Sequence, residues 1–131
     1  MQHALENAEK ASKSGEIPVG AVIVHEGEII ASFGNKVEEL KNPLAHAEIL
    51  AIQEACRVLD RKFLTDCDIY VTLEPCDMCA KAISLARIRR VYFGAYDTKL
   101  YQTRNHTPEV YGGICETECM ELIQVFFKGL R

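Results

Sequence analysis

Residues 17–24, Ile-Pro-Val-Gly-Ala-Val-Ile-Val, carry no polar side chain. The run falls well short of the roughly 18–20 apolar residues of a membrane span. Rich in valine and isoleucine, it reads as a strand buried on both faces. Such a strand belongs inside a sheet, and helices must cover that sheet on both sides. His25-Glu26-Gly27 turns the chain, and residues 28–33 return alongside, which makes a hairpin.

The covering layers are legible from helical periodicity. Met1, Leu5, Ala8 and Ala11 form one stripe of an amphipathic helix that ends near Gly15. A second helix is expected over 42–59, with Asn42 as cap, Pro43 in the first helical position, and Ile49, Ile52, Cys56 and Leu59 recurring on one face. A strand over 68–73, a helix over 76–86 and a strand over 90–95 follow. The last helix, about 116–130, turns Leu122, Ile123 and Phe126 inward. Strand and helix alternate after the hairpin, so the later strands should run parallel. The expected fold is α/β, a three-layer α/β/α sandwich around a mixed sheet.

At 131 residues the chain suits one domain, 1–131. A domain of that size buries roughly two thirds of its unfolded surface. No stretch reads as a membrane span, and Met1-Gln2-His3 does not open a signal peptide, so the expected location is cytoplasmic. Six cysteines in that compartment point to metal binding or catalysis before disulfides. The net charge of −4 speaks against a nucleic-acid partner, but its distribution does not. Between residues 81 and 104 Lys81, Arg87, Arg89, Arg90, Lys99 and Arg104 face Asp97 alone. That asymmetry marks either an anion-binding face or a set of solvated cations around a strand.

Cys76-Asp77-Met78-Cys79 follows a strand and Pro75 and opens a helix. Unpaired N–H groups and the helix dipole at such a position stabilise thiolates, the form that binds metal. A redox pair also occupies strand-to-helix junctions, with Thr107-Pro108 available opposite, but it has no use for a hairpin and a His-bearing helix ahead of it. A structural zinc site shared with Cys115 and Cys119 is a second reading, although two cysteines four apart also serve as small buried residues. The third reading takes in His46, three residues before Ile49 and turned toward the sheet. A lone histidine is ordinarily a surface or satisfied core residue. Glu48 shares a stripe with Ile52 and Ala55, where a carboxylate is costly unless paired or working. Its ordinary alternative is a first-turn glutamate favoured by the dipole. Together, His46, Cys76 and Cys79 supply three ligands and leave a fourth tetrahedral position open, as in catalytic zinc. Glu48 then lies close enough to exchange protons there. His-x-Glu followed by Pro-Cys-x-x-Cys is the signature of nucleobase deaminases.

The resemblance extends beyond that signature. "EIPVGAVIV", "GNKV", "AHAEILAI", "YVTLEPCDMCAKAI", "ARIRRVYFGAYDTK", Asn105-His106 and "ELIQVFFKGLR" are similar to segments of the bacterial tRNA-specific adenosine deaminases, within the cytidine and deoxycytidylate deaminase superfamily. This resemblance implies one Zn2+ per chain on His46, Cys76 and Cys79, with Glu48 as proton shuttle. It implies that Asn35 contacts the base, although Asn beside Gly34 is also a common turn residue. Lys99, Arg104, Asn105 and His106 are further candidates for RNA contact. The implied fold has five strands, the implied assembly is a homodimer, and the implied substrate is the wobble adenosine of a tRNA anticodon stem-loop. Two features depart from the family. Leu44 replaces a small polar residue, and Asp97-Thr98-Lys99 runs directly into Leu100-Tyr101 where relatives carry a Gly- and Ala-rich stretch. Two other functions remain open: a free-base deaminase acting on cytosine or guanine, and a non-catalytic zinc-stabilised RNA-binding module that would have no use for Glu48.

Overall fold

Five strands, β1 (Gly20–His25), β2 (Glu28–Gly34), β3 (Cys67–Leu73), β4 (Arg90–Ala95) and β5 (Glu109–Tyr111), form one sheet in the computed structural model, which describes residues 1–97 and 108–129. Their order is β2-β1-β3-β4-β5. β1 pairs antiparallel with β2 and β3, whereas β3–β4 and β4–β5 are parallel. The apolar run does form an interior strand, with β3 at the centre of the sheet. It begins at Gly20 and leaves residues 17–19 outside, because β2 ends at Gly34, directly opposite Gly20.

Helices α3 (Ala47–Leu59) and α4 (Asp77–Leu85) cover one face. Ala47, Ala51, Ala55 and Ile83 meet Ala21, Ile23, Ile69 and Val71 in the main core there. Helices α1 (Gln2–Lys13) and α5 (Glu116–Lys128) cover the other. α1 lies directly on the hairpin backbone. A Cβ at Gly20 would stand 2.0 Å from the Ala4 carbonyl oxygen and 2.8 Å from the Ala8 nitrogen. Only glycine on the strand and a small-residue stripe on the helix (Ala4, Ala8, Ala11) permit that approach. α5 approaches β4 just as closely, with Cys119 seated on Gly94.

Three elements differ from the sequence expectation. The helix expected from Pro43 starts at Ala47. Asn42 does accept the Leu44 N–H through Oδ1 (2.9 Å), but this closes a turn instead of capping a helix. The chain then extends through His46 before winding. A short helix, α2 (Val37–Leu40), and the three-residue strand β5 were not signalled by any apolar pattern. On α5 only Cys119 is buried, and Leu122, Ile123 and Phe126 are half-buried, although this helix packs on β4, β3 and α1.

Candidate active site

The chain arrives at α3 and at α4 in extended conformation, so His46 and Cys76 become their N-caps (φ −72° and −70°). Neither side chain bonds its own helix end. Both are therefore free to point at a common ligand from the positive ends of two packed helices. Cys79 joins them from the first turn of α4, fully buried. His46 Nδ1 lies 3.7 Å from Cys76 Sγ and 3.5 Å from Cys79 Sγ. Tetrahedral zinc bonded at about 2.3 Å to sulfur and about 2.0–2.1 Å to nitrogen separates such ligand atoms by about 3.6 Å. The three donors thus fit one zinc ion.

The electrostatics of the three donors point the same way. A hydrogen bond from Cys79, seconded by one from His46, holds the Cys76 thiol down at about 3. His46 is raised, chiefly by its hydrogen bond to that thiolate, and Cys79 is pushed well up by the same partner and by burial. One thiolate thus forms readily, and a cation is needed to hold a second. Glu48, in the first turn of α3, is 4% exposed, and its carboxyl is pushed up to about 7, chiefly by burial. At that value it can both take and give a proton near neutral pH.

His46, Glu48 and Cys76 line a pocket of about 540 Å³, a size suited to a small organic group. Asn35 lines it as well, and its amide is partly committed: Oδ1 accepts the Ala47 N–H (2.8 Å) and Nδ2 donates to the Ile17 carbonyl (3.1 Å). Asn35 thereby ties the end of the hairpin to the first residue of α3. Among the lining residues that sequence reasoning did not assign to the site are Glu16, Glu74, Phe126 and Phe127. Glu74 Oε1 accepts the Asp97 N–H (3.1 Å) and so links the ends of β3 and β4. The Phe-Phe pair of α5 reaches the pocket from the far layer, and no local sequence signal could have placed it there.

The cysteines of the rival zinc site lie elsewhere. Cys119 packs on Gly94 with its thiol pushed up to about 11 by burial, and among the described residues no metal-binding group includes Cys115 or Cys119. His25, Glu26 and Asp66 do cluster, at the opposite end of β3, where His25 Nε2 and Arg61 both pair with Asp66. The basic segment is not one face toward the pocket. Arg89 and Arg90 pair with Asp68, and Arg87 stacks on Phe63, at the start of β4, whereas the pocket is at its end. Lys99, Arg104, Asn105 and His106 lie outside the described residues.

Residues 1–95 match the family described as the cytidine and deoxycytidylate deaminase zinc-binding region. The tRNA-specific adenosine deaminase of Aquifex aeolicus is 50% identical over 139 positions, covering 98% of this chain and 91% of that protein. A structure from a study of A-to-I editing by tRNA:A34 deaminases at the wobble position of transfer RNA superposes with a TM-score of 0.88 at 46% identity, over 93% of this chain and 96% of that one. A guanine deaminase from Bacillus subtilis is more distant, with a TM-score of 0.71 at 33% identity over 97% and 90% of the two chains.

Proposed function

The chain belongs to the cytidine and deoxycytidylate deaminase zinc-binding family, and within it we propose that this member hydrolyses the wobble adenosine of a tRNA anticodon stem-loop to inosine. One observation carries the catalytic half of this reading: a buried carboxylate, Glu48, opens onto a base-sized pocket beside a three-donor metal set. A non-catalytic module would have no reason to keep that carboxylate desolvated. Identity of 50% along nearly the whole chain supports tRNA adenosine over free guanine, whose deaminase stands at 33%.

His46, Cys76 and Cys79 would hold a zinc ion, which when bound would supply Lewis acidity that lowers the pKa of a water molecule toward neutrality. Glu48 takes the proton released by the attacking water and delivers it to N1 of adenine, which makes C6 electrophilic. After addition at C6, Glu48 carries the second proton to the exocyclic amine, which leaves as ammonia. Asn35 retains one N–H and one lone pair beyond its two bonds, and these are available to the edge of the base. Phe126 and Phe127 offer ring faces to bases splayed at the mouth. We place the enzyme in the cytoplasm as a homodimer, in keeping with a tRNA substrate and with the family resemblance. Among the described residues no helix is long and apolar enough to cross a membrane.

The test is direct. Zinc-loaded protein is incubated with a tRNA pool, an isolated anticodon stem-loop, and free adenosine, cytosine and guanine, and the products are read by nucleoside mass spectrometry. Inosine in the RNA is the expected outcome. Turnover of free cytosine or guanine with an inert stem-loop would replace this reading with a free-base deaminase.

A further inference from the structure

Glu16 is 2% exposed although it lies between two surface pockets, and among the described residues no cation pairs with it. Its carboxylate instead accepts the Glu38 N–H through both oxygens (3.0 and 3.1 Å) and the Glu39 N–H at 2.8 Å. These amides belong to α2, inside an excursion of the chain that the Lys36 N–H closes on the Ala45 carbonyl (3.0 Å). Val37, Glu38 and Pro43 of the excursion form one wall of the pocket, and its end leads straight into His46.

Packing cannot hold this wall. α2 contains no buried residue, and Leu40 and Leu44 stand about half exposed. The other side of Glu16, by contrast, is firmly anchored. Its own N–H donates to the Ala11 carbonyl at the end of α1 (2.9 Å), and the next carbonyl, that of Ile17, receives Asn35. A neutral side chain would be cheaper to bury than a carboxylate. A carboxylate is favoured only because hydrogen bonds from backbone amides to a charged acceptor are about twice as strong as neutral ones.

We propose that Glu16 is a positioning residue that clamps the Val37–Leu40 wall to the body of the protein and thereby sets the width of the pocket that receives the base and its flanking nucleotides. The kinetic consequence rests on the deaminase reading above; the clamp itself does not. Glu16 touches no donor of the metal set, so its loss acts on substrate binding before chemistry.

The experiment compares wild type, Glu16→Gln and Glu16→Ala as zinc-loaded enzymes. Amide hydrogen exchange at Glu38 and Glu39 should accelerate at least ~10-fold in the alanine variant, on the scale of losing one charge-assisted hydrogen bond. The glutamine variant, which keeps one acceptor oxygen, should fall between. Zinc content should stay at wild-type level. KM for the stem-loop should rise about 10-fold or more in Glu16→Ala with kcat within a few-fold, and Glu16→Gln should recover part of the loss. Unchanged exchange at Glu38 and Glu39 would overturn the clamp. A fall in kcat at constant KM, or loss of zinc, would overturn the positioning role. If wild type itself leaves the stem-loop untouched, the deaminase reading fails and the exchange data still decide the clamp.

Discussion

Replacing Glu48 by glutamine changes one atom's protonation chemistry and almost nothing else. The site is 4% exposed, and Gln fills the same volume without the desolvation that pushes the native carboxyl up to about 7. The fold and the metal set should therefore persist. What disappears is the group that moves protons between water, N1 and the leaving amine. A positioned general acid–base contributes about 10²–10⁴-fold. The structure points to the upper part of that range, because two neighbouring carboxylates of the pocket are already committed. Glu16 is held by the α2 amides, Glu74 by the Asp97 N–H, and neither stands on the helix turn that carries His46. A loss of about 10³–10⁴ corresponds to roughly 4–5.5 kcal/mol in the barrier. Single-turnover inosine formation in a labelled stem-loop measures the rate, atomic absorption the zinc, and salt-matched binding the affinity. Turnover within tenfold of wild type, with zinc intact, would refute the reasoning. Loss of zinc would recast Glu48 as a prop of the metal site.

Further outcomes follow, all but the last from the same geometry. Cys76→Ala and Cys79→Ala should each abolish stoichiometric zinc, whereas Cys115→Ala and Cys119→Ala should retain it, as read by metal analysis. In metal-stripped protein, iodoacetamide should modify Cys76 first across pH 5–8, since a thiol held at about 3 is already thiolate there. Cys67 and Cys119, pushed up to about 11, stay protonated and inert over that range, and mass mapping of the adducts checks the order. Gly20→Ala drives a Cβ into the α1 backbone and should cost about 1–3 kcal/mol, or a fall in Tm of roughly 5–10 °C by calorimetry, with zinc retained. Gly27→Ala, in open space at φ +81°, should cost only the left-handed backbone, about 1–2 kcal/mol. Stem-loop binding should weaken with salt at a log–log slope of about 0.7 per phosphate neutralised, and charge reversal at Lys99 or Arg104 should flatten it.

The sheet was legible because its signals are local. Val22, Ile23 and their neighbours repeat without interruption, and the hairpin turn is local too, although it takes only Glu26-Gly27 and leaves His25, expected in the turn, as the last residue of β1. His46, Cys76 and Cys79 were legible because ligand chemistry restricts residue type at short spacing. The start of α3 was misplaced because Asn42-Pro43 supports a turn as readily as a helix start, and the choice was made by the Asn35 bond to Ala47, which depends on the hairpin. Glu16, Glu74 and the Phe126–Phe127 pair entered the pocket only through tertiary folding. The charge excess over 81–104 left two readings open for a related reason: composition counts cations but not their partners, and Asp68 pairs with two of them.

His46 hangs from the hairpin half of the sheet, and Cys76 and Cys79 from the parallel half, some thirty residues further along. An ion shared between them is therefore a crosslink across the seam of the molecule as well as a reagent. It closes a long loop that the unfolded chain must otherwise leave open, and it keeps together two helix N-termini whose partial positive charges repel. Zinc shortage would then register first as a weakened fold, before any loss of chemistry.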